Sequence, residues 1–197
     1  MKDYENELYK TGIKLVAGVD EVGRGPLVGS VVCACVILPV GYKLEGLTDS
    51  KKLTAKKRDA LFDIITNNAI SFSIAQASVQ EIDAYNILEA TLLAMRRAIQ
   101  ALDVPADYAL IDGNVCRGFD IPAECVVHGD STSYSIAAAS ILAKVTRDRI
   151  CDDLDAMYPE YGIAKHKGYG TKAHMEALRK IGPSPIHRKQ FIRFLDK

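Results

Sequence analysis

Val16-Ala17-Gly18-Val19-Asp20-Glu21-Val22-Gly23-Arg24-Gly25-Pro26 ends an apolar, strand-like run on two adjacent carboxylates and then turns through Gly-Arg-Gly. Acids at the edge of a buried strand need a compensating cation, because an unpaired buried charge is costly and the group otherwise neutralises. The Gly-Arg-Gly turn presents backbone N–H groups and one guanidinium to an anion. The segment therefore predicts a divalent-metal site beside a phosphate-reading loop. Any one acid at a strand end also reads as an ordinary turn or cap residue, but two in succession, where an apolar residue would continue the strand, point to function.

Outward from this segment, Leu15 to Asp20 and Leu27 to Leu38 read as strands, the second so uniformly apolar that it belongs in the middle of a sheet. A polar loop ending Thr48-Asp49-Ser50-Lys51-Lys52 leads to Thr54, which can cap a helix with Leu61, Phe62, Ile64 and Ile65 on its apolar side. Ser71 to Val79 alternates like a strand, and Ile82 to Leu102 has helical spacing through Ile87, Leu88, Leu92, Met95 and Ile99. Tyr108 to Ile111 reads as a short strand running into the turn Asp112-Gly113-Asn114, and Glu124 to Val127 as another. After Gly129-Asp130-Ser131-Thr132-Ser133 comes an alanine-rich helix from Tyr134 to about Leu154. Glycine and proline turns then separate short helices to the end, so the pattern predicts one compact α/β unit with a basic helical tail.

The chain has 197 residues with 25 basic and 25 acidic side chains, so total charge names no partner and only its distribution can. From Lys165 onward stand Lys167, Lys172, Arg179, Lys180, Arg188, Lys189, Arg193 and Lys197 against only Glu176 and Asp196, a polyanion-facing tail. The five cysteines are odd in number and lack zinc-ligand spacing; they read as small core hydrophobes in a reducing cytoplasm. Met1 to Lys10 mixes charges of both signs, unlike a secretory signal, and Val31 to Leu38 falls far short of the ~20 residues that span a bilayer. The expectation is a cytoplasmic protein with no membrane contact.

In this scheme Asp20 and Asp112 lie at the C-terminal ends of strands and Asp130 at a helix entry, positions that converge beyond the carboxyl ends of an open α/β sheet. Converging carboxylates call for Mg²⁺ or Mn²⁺ with oxygen ligands, and the matching chemistry is hydrolysis of a phosphodiester. Taken alone, Asp112 before Gly113 also reads as a turn residue, and Asp130 as an acid relieving a helix N-terminus.

Gly18-Val19-Asp20-Glu21-Val22-Gly23-Arg24-Gly25, Asp49-Ser50-Lys51-Lys52-Leu53, Ile111-Asp112-Gly113, Gly129-Asp130-Ser131, Ala137 to Lys144 with Thr146-Arg147-Asp148, and His166-Lys167-Gly168-Tyr169-Gly170-Thr171 occur in this order. Together they resemble the type 2 ribonuclease H family, ribonuclease HII, from about residue 15 to 191. The resemblance implies a ribonuclease H-like α/β fold: a mixed five-stranded sheet flanked by helices, with a short helical C-terminal segment. It implies a single catalytic domain over 1–197, its core at about 13–157 and the basic segment at about 158–197. It further implies that Asp20, Glu21, Asp112 and Asp130 are the catalytic, metal-binding carboxylates for two Mg²⁺ or Mn²⁺ ions. The expected reaction is cleavage of RNA:DNA hybrids and of ribonucleotide-containing duplex DNA on the 5′ side of the ribonucleotide, leaving a 3′-hydroxyl and a 5′-phosphate. His128 departs from the pattern, standing where a lysine is expected before Gly-Asp.

By the same resemblance, Gly23, Arg24 and Gly25 contact the ribose 2′-hydroxyl, the group that separates RNA from DNA, and Tyr169 packs on the next sugar. Glycine suits such a loop because no Cβ obstructs the sugar. Tyr169 between two glycines also reads as ordinary turn packing. Lys51 and Lys52 are candidates for phosphate contact, and they also read as solvated lysines; Lys144, Arg147, His166 and Lys167 are weaker candidates. Gln190 to Leu195 faintly resembles a sliding-clamp peptide, against the plainer reading of an amphipathic terminal helix that packs its phenylalanines. The expected state is a monomer. The runner-up families are type 3 ribonuclease H, which carries a lysine at the Arg24 position, and ribonuclease H-like exonucleases or resolvases, which need no 2′-hydroxyl reader. A binding module without catalysis would not place acids where phosphates must approach.

Overall fold

The computed structural model describes residues 4–43 and 53–196. Five strands, β1 (Val16–Val22), β2 (Val31–Ile37), β3 (Ser71–Ala77), β4 (Tyr108–Asp112) and β5 (Ala123–Val126), form one sheet in the order β3-β2-β1-β4-β5. The first three strands are antiparallel neighbours, and β4 and β5 continue parallel to β1. The helices are α1 (Tyr4–Lys10), α2 (Ala55–Asn68), α3 (Val79–Tyr85), α4 (Ile87–Gln100), α5 (Tyr134–Met157), α6 (Ile163–His166) and α7 (Lys172–Ile181).

The sheet is mixed and covered on both faces, which explains why β2 is apolar at every position. Cys33, Cys35 and Ile37 pack with Leu92, Met95 and Ala98 of α4, while Ala34 and Val36 pack with Ala138, Ile141 and Leu142 of α5 and with Leu61 and Ile65 of α2. The alanines of α5 let the helix lie close on the sheet. The limit is reached at Gly18, where a Cβ would strike the backbone of Ser135 in α5.

Several boundaries differ from the sequence pattern. The strand expected over 27–38 begins only at Val31: the carbonyls of Gly23, Arg24, Pro26, Val28, Gly29 and Ser30 are taken by arginine side chains, and Leu27 and Val28 pair instead with the main chain of the segment at His187 and Arg188. The single helix expected over 82–102 is two helices, broken at Asn86, whose φ of 74° ends α3 while its side chain caps α4 through Leu88 N and Glu89 N. β1 runs two residues past Asp20, so Glu21 is paired opposite Cys33 inside the sheet. Cys116 and Cys125 form a disulfide joining the loop after β4 to β5, which corrects the expectation that all the cysteines are reduced; the topology brings their Cα atoms to 5.7 Å, within bridging reach. Cys33, Cys35 and Cys151 are free and buried, as expected of core hydrophobes.

The residues after α5 pack through Tyr161, Ile163, Leu178 and Ile192 on Leu27, Val28 and Cys151. Gln190 to Leu195 forms two 3-10 turns rather than a helix, with Phe191 and Phe194 half-buried against this cluster. No helix among the described residues is long and apolar enough to cross a membrane.

Candidate active site

Asp20, Glu21, Asp112 and Asp130 line one cavity together with Val22, Ser140, Lys144 and Tyr169. Alternation along β1 turns Asp20 toward α5, where Ser140 hydrogen-bonds it, and Glu21 toward the opposite face; both reach the cavity because they stand near the strand's C-terminal end. Asp112 is the last residue of β4, adjacent to β1. Its Oδ1 accepts the Gly129 N–H at 2.6 Å, which ties the end of β4 to the 3-10 turn Gly129–Ser131 that carries Asp130. The turn is packed closely at Gly129, where a Cβ would have to displace the end of the Ile136 side chain and would crowd Asp112.

Burial holds the Asp20 carboxyl well above the usual carboxylate range, with the Glu21 and Asp112 charges adding to it; hydrogen bonds from Ser140 and from the Glu21 N–H, at 2.7 Å, oppose it. Glu21 is raised as well, chiefly by burial and further by Asp112, against the pull of Arg24, whose Nη1 lies 3.4 Å from Glu21 Oε1. This is the electrostatic condition a bound cation relieves. All four donors are hard carboxylate oxygens, a set suited to Mg²⁺ or Mn²⁺ rather than to zinc or copper. Among the described residues these acids share the cavity without closing into a preassembled cage of three or more ligands.

The Gly-Arg-Gly turn leaves the end of β1 with Gly23 at φ 97°, a conformation that favours glycine. Its main chain is held from within the protein. Arg188, fully buried, donates from Nε to the Gly29 carbonyl at 2.9 Å, from Nη1 to Arg24 and Pro26 at 3.0 and 2.8 Å, and from Nη2 to Gly23 at 2.6 Å. Arg147, also buried, donates to the carbonyls of Ser30 and Val28 at 3.0 and 3.2 Å. Burial and the Arg147 charge push the Arg188 guanidinium down to about 9. Tyr169 is 49 % exposed, and its ring stands beside Gly25, where a Cβ would lie 3.3 Å from Cε1. The loop and the tyrosine are thus contiguous, and the main chain of Leu27 donates to the Gly168 carbonyl at 2.8 Å between them.

The structure accordingly gathers Asp20, Glu21, Asp112, Asp130 and Tyr169 around one cavity, with Gly23 to Gly25 adjoining it. Lys51 and Lys52 lie outside the described residues. Lys144 borders the cavity but is paired with Asp148 at 2.6 Å. Arg147, a weaker candidate for phosphate contact, does not face a ligand: it is 2 % exposed and spends its guanidinium on the main-chain carbonyls of Ser30 and Val28. His166 bonds the Tyr161 carbonyl and Lys167 pairs with Asp152, so both support the turn around Tyr169. His128 takes the left-handed conformation at the start of the Asp130 turn, and its carbonyl accepts the Ser131 and Thr132 hydroxyls. In the sequence Arg188 reads only as part of a basic tail. A lone arginine in such a tail carries no sign that it is buried.

Comparison with known proteins agrees with this geometry at two levels. Among solved structures, the ribonuclease H2 of Pyrococcus horikoshii OT3 superposes with a TM-score of 0.76 at 27 % identity, covering 92 % of this chain and 96 % of that one. The ribonuclease HII of Archaeoglobus fulgidus, solved with PCNA, superposes with a TM-score of 0.72 at 21 % identity over 90 % of this chain and 95 % of that one. The fold is therefore the ribonuclease H-like one, and the class is that of metal-dependent nucleases of ribonuclease H type 2. The Ribonuclease HII family model matches residues 17–194. The ribonuclease HII of Syntrophotalea carbinolica is 52 % identical over 95 % of this chain and 90 % of its own length, and that of Clostridioides difficile strain 630 is 51 % identical over 96 % and 74 %. The chain belongs to the ribonuclease HII family.

Proposed function

We propose that this enzyme hydrolyses the RNA strand of RNA:DNA hybrids and nicks duplex DNA 5′ of a single embedded ribonucleotide, leaving 3′-hydroxyl and 5′-phosphate ends. The carrying observation is that one cavity joins four carboxylates to Tyr169 and adjoins the Gly23 to Gly25 loop. Asp20, Glu21, Asp112 and Asp130 are the residues that would hold two divalent ions, Mg²⁺ or Mn²⁺. When bound, such a pair supplies the acidity that activates a water and the charge that stabilises the leaving oxygen.

The chain's own residues do the rest. The four acids would hold the ions that offset their repulsion of the scissile phosphate, and the Gly129 N–H keeps one oxygen of Asp112 fixed. Gly23 and Gly25 let the main chain approach the ribose closely enough to detect a 2′-hydroxyl. The Arg24 side chain, 47 % exposed, is free to turn from Glu21 to a phosphate. Tyr169 offers its ring to the following sugar. Exposed Lys172, Arg179, Lys180 and Lys189 suit phosphate contacts that position the duplex without reading sequence.

The test is a duplex carrying one internal ribonucleotide, incubated with Mg²⁺, Mn²⁺ or chelator beside an all-DNA duplex. Cleavage is expected only with metal and only of the first duplex; equal cutting of all-DNA removes the 2′-hydroxyl reading. Asp112→Asn keeps the acceptor for Gly129 N–H but loses the charge. Turnover should fall about 10³-fold or more, with duplex affinity within a few-fold, and near wild-type turnover would take Asp112 out of the site.

The relative solved with PCNA makes clamp contact through the C-terminus a reading to test. Phe191 and Phe194 face the Ile192 cluster, so a clamp would engage this end only by drawing those rings out. Surface-immobilised full-length chain should retain a sliding clamp from the same cell if the contact exists, and no retention ends the idea. We also propose that the enzyme acts as a monomer, which sedimentation at micromolar concentration checks.

A further inference from the structure

Behind Tyr169 lie two buried imidazoles that the proposed chemistry does not use. His174, on α7, is fully buried, and His187, in the segment after it, is 3 % exposed. Their Nε2 atoms are 3.2 Å apart, so the two rings share one proton. His174 Nδ1 lies 3.0 Å from the Tyr169 carbonyl, and His187 Nδ1 lies 3.1 Å from the Ser184 main-chain nitrogen and 2.9 Å from its hydroxyl.

The two ends determine the polarity of this chain. A main-chain N–H is an obligate donor and a carbonyl an obligate acceptor. His187 Nδ1 therefore accepts from Ser184, leaving the His187 proton on Nε2. That proton is donated to His174 Nε2, so the His174 proton sits on Nδ1 and points at the Tyr169 carbonyl. The Ser184 carbonyl, 3.3 Å from His187 Nδ1, is the longer neighbour. The reverse polarity would set His174 Nδ1, as an acceptor, against a carbonyl.

We propose that His187 and His174 form a neutral, one-directional relay that positions Tyr169 for recognition of a ribonucleotide. The proposal rests on the assignment of Tyr169 as the sugar-contacting residue. Both sides of the Tyr169 main chain are held: its N–H donates to the His166 carbonyl at 3.0 Å, and its carbonyl receives His174 and the Thr171 N–H. The titratable rings packed on the pair are His166, stacked on His174 at 4.5 Å, and Tyr161, 4.7 Å from His187. His166 is itself committed, accepting the Gly168 N–H at Nδ1 and bonding the Tyr161 carbonyl through Nε2. An added proton displaces a donor already in place, with only the Ser184 hydroxyl and its longer carbonyl contact to receive it at His187. On His174 Nε2 it opposes the His187 N–H, and on His187 Nδ1 it opposes the Ser184 N–H. Either way one contact of the relay breaks, and the ring that orients His174 against the Tyr169 carbonyl is no longer fixed. Burial, and the proximity of His174, keep His187 down to about 4, so the relay is intact at neutral pH.

The relay predicts a split between binding and turnover. With a duplex bearing one internal ribonucleotide at pH 8 and saturating Mg²⁺, His187→Leu should raise KM about tenfold while kcat stays within about twofold. His187→Gln, whose amide can still donate to His174 Nε2, should recover most of the loss, and His174→Asn, whose amide can reach the Tyr169 carbonyl, should also remain near wild type. Wild-type KM in His187→Leu would overturn the relay if Tyr169→Ala still raises KM. An unchanged KM in Tyr169→Ala would instead sink the assignment of Tyr169, and the relay's role with it. Long-range proton–nitrogen spectra of the ¹⁵N-histidine-labelled wild type test the polarity without any variant. They should show His187 protonated at Nε2 and His174 at Nδ1, and the opposite tautomers would refute the relay.

Discussion

At Arg188 a single guanidinium satisfies main-chain carbonyls of Gly23, Arg24, Pro26 and Gly29. The loop proposed to read the sugar is thus shaped by a side chain far away in sequence. Arg188→Met fills the same space but leaves buried carbonyls unpaired, so it should lower stability by about 3–5 kcal/mol, read from urea unfolding. Arg188→Lys keeps the charge without the planar fork and should fall between the two. At Asp20 the balance is opposite. Its carboxyl is raised by burial and by Glu21 and Asp112, so above the ordinary aspartate range the folded state binds more protons than the unfolded one, and stability falls as pH rises. Asp20→Asn should therefore raise the urea midpoint of chelator-treated protein at pH 7 while abolishing cleavage. A lowered midpoint would contradict the stated repulsion.

The elements owe their ends to identifiable residues. Asn86 stops α3 with a left-handed φ and caps α4 with its side chain, a double duty that a helical hydrophobic pattern hides. Asn86→Ala should cost about 1–2 kcal/mol from the lost cap and the positive φ, and Asn86→Gly less, by chemical denaturation. β1 and α5 approach so closely at Gly18 that Gly18→Ala must shift the Ser135 backbone. The displacement should cost about 1–3 kcal/mol and reduce activity, since α5 also carries Ser140 against Asp20. Retained stability and rate in that variant would show that the helix can move without disturbing the acids.

Over the whole molecule, acid sensitivity is set by groups distant from the metal site. His187 is held at about 4 against an ordinary value of 6.5, so between those values the unfolded chain binds more protons. Its contribution is complete above pH 6.5 and is lost as pH falls toward 4, amounting to about 3 kcal/mol over the interval. Glu81, lowered to about 2 mainly by Arg97, adds a second loss as pH falls from 4.5 toward 2. Urea midpoints of the wild type should drop between pH 7 and 5, and His187→Gln should flatten that drop.

The sheet, the two-sided burial of β2, the α5 alanines and the acids near strand ends were legible in the sequence, because apolar period, small-residue spacing and turn punctuation are local properties. Six motifs in order, each short, sufficed to expect a metal-dependent nuclease. What the local pattern could not carry was partnership across distance. A basic residue in the tail reads the same whether it meets solvent, as Lys189 does, or closes on carbonyls more than 150 positions away, as Arg188 does. Histidines 13 positions apart give no sign that they share a proton behind Tyr169. The sequence by itself determined which residues carry the charge and the chemistry. Only the tertiary structure decided which cations face a ligand and which hold the main chain, since that depends on burial and on which unpaired carbonyls the fold brings within hydrogen-bond reach.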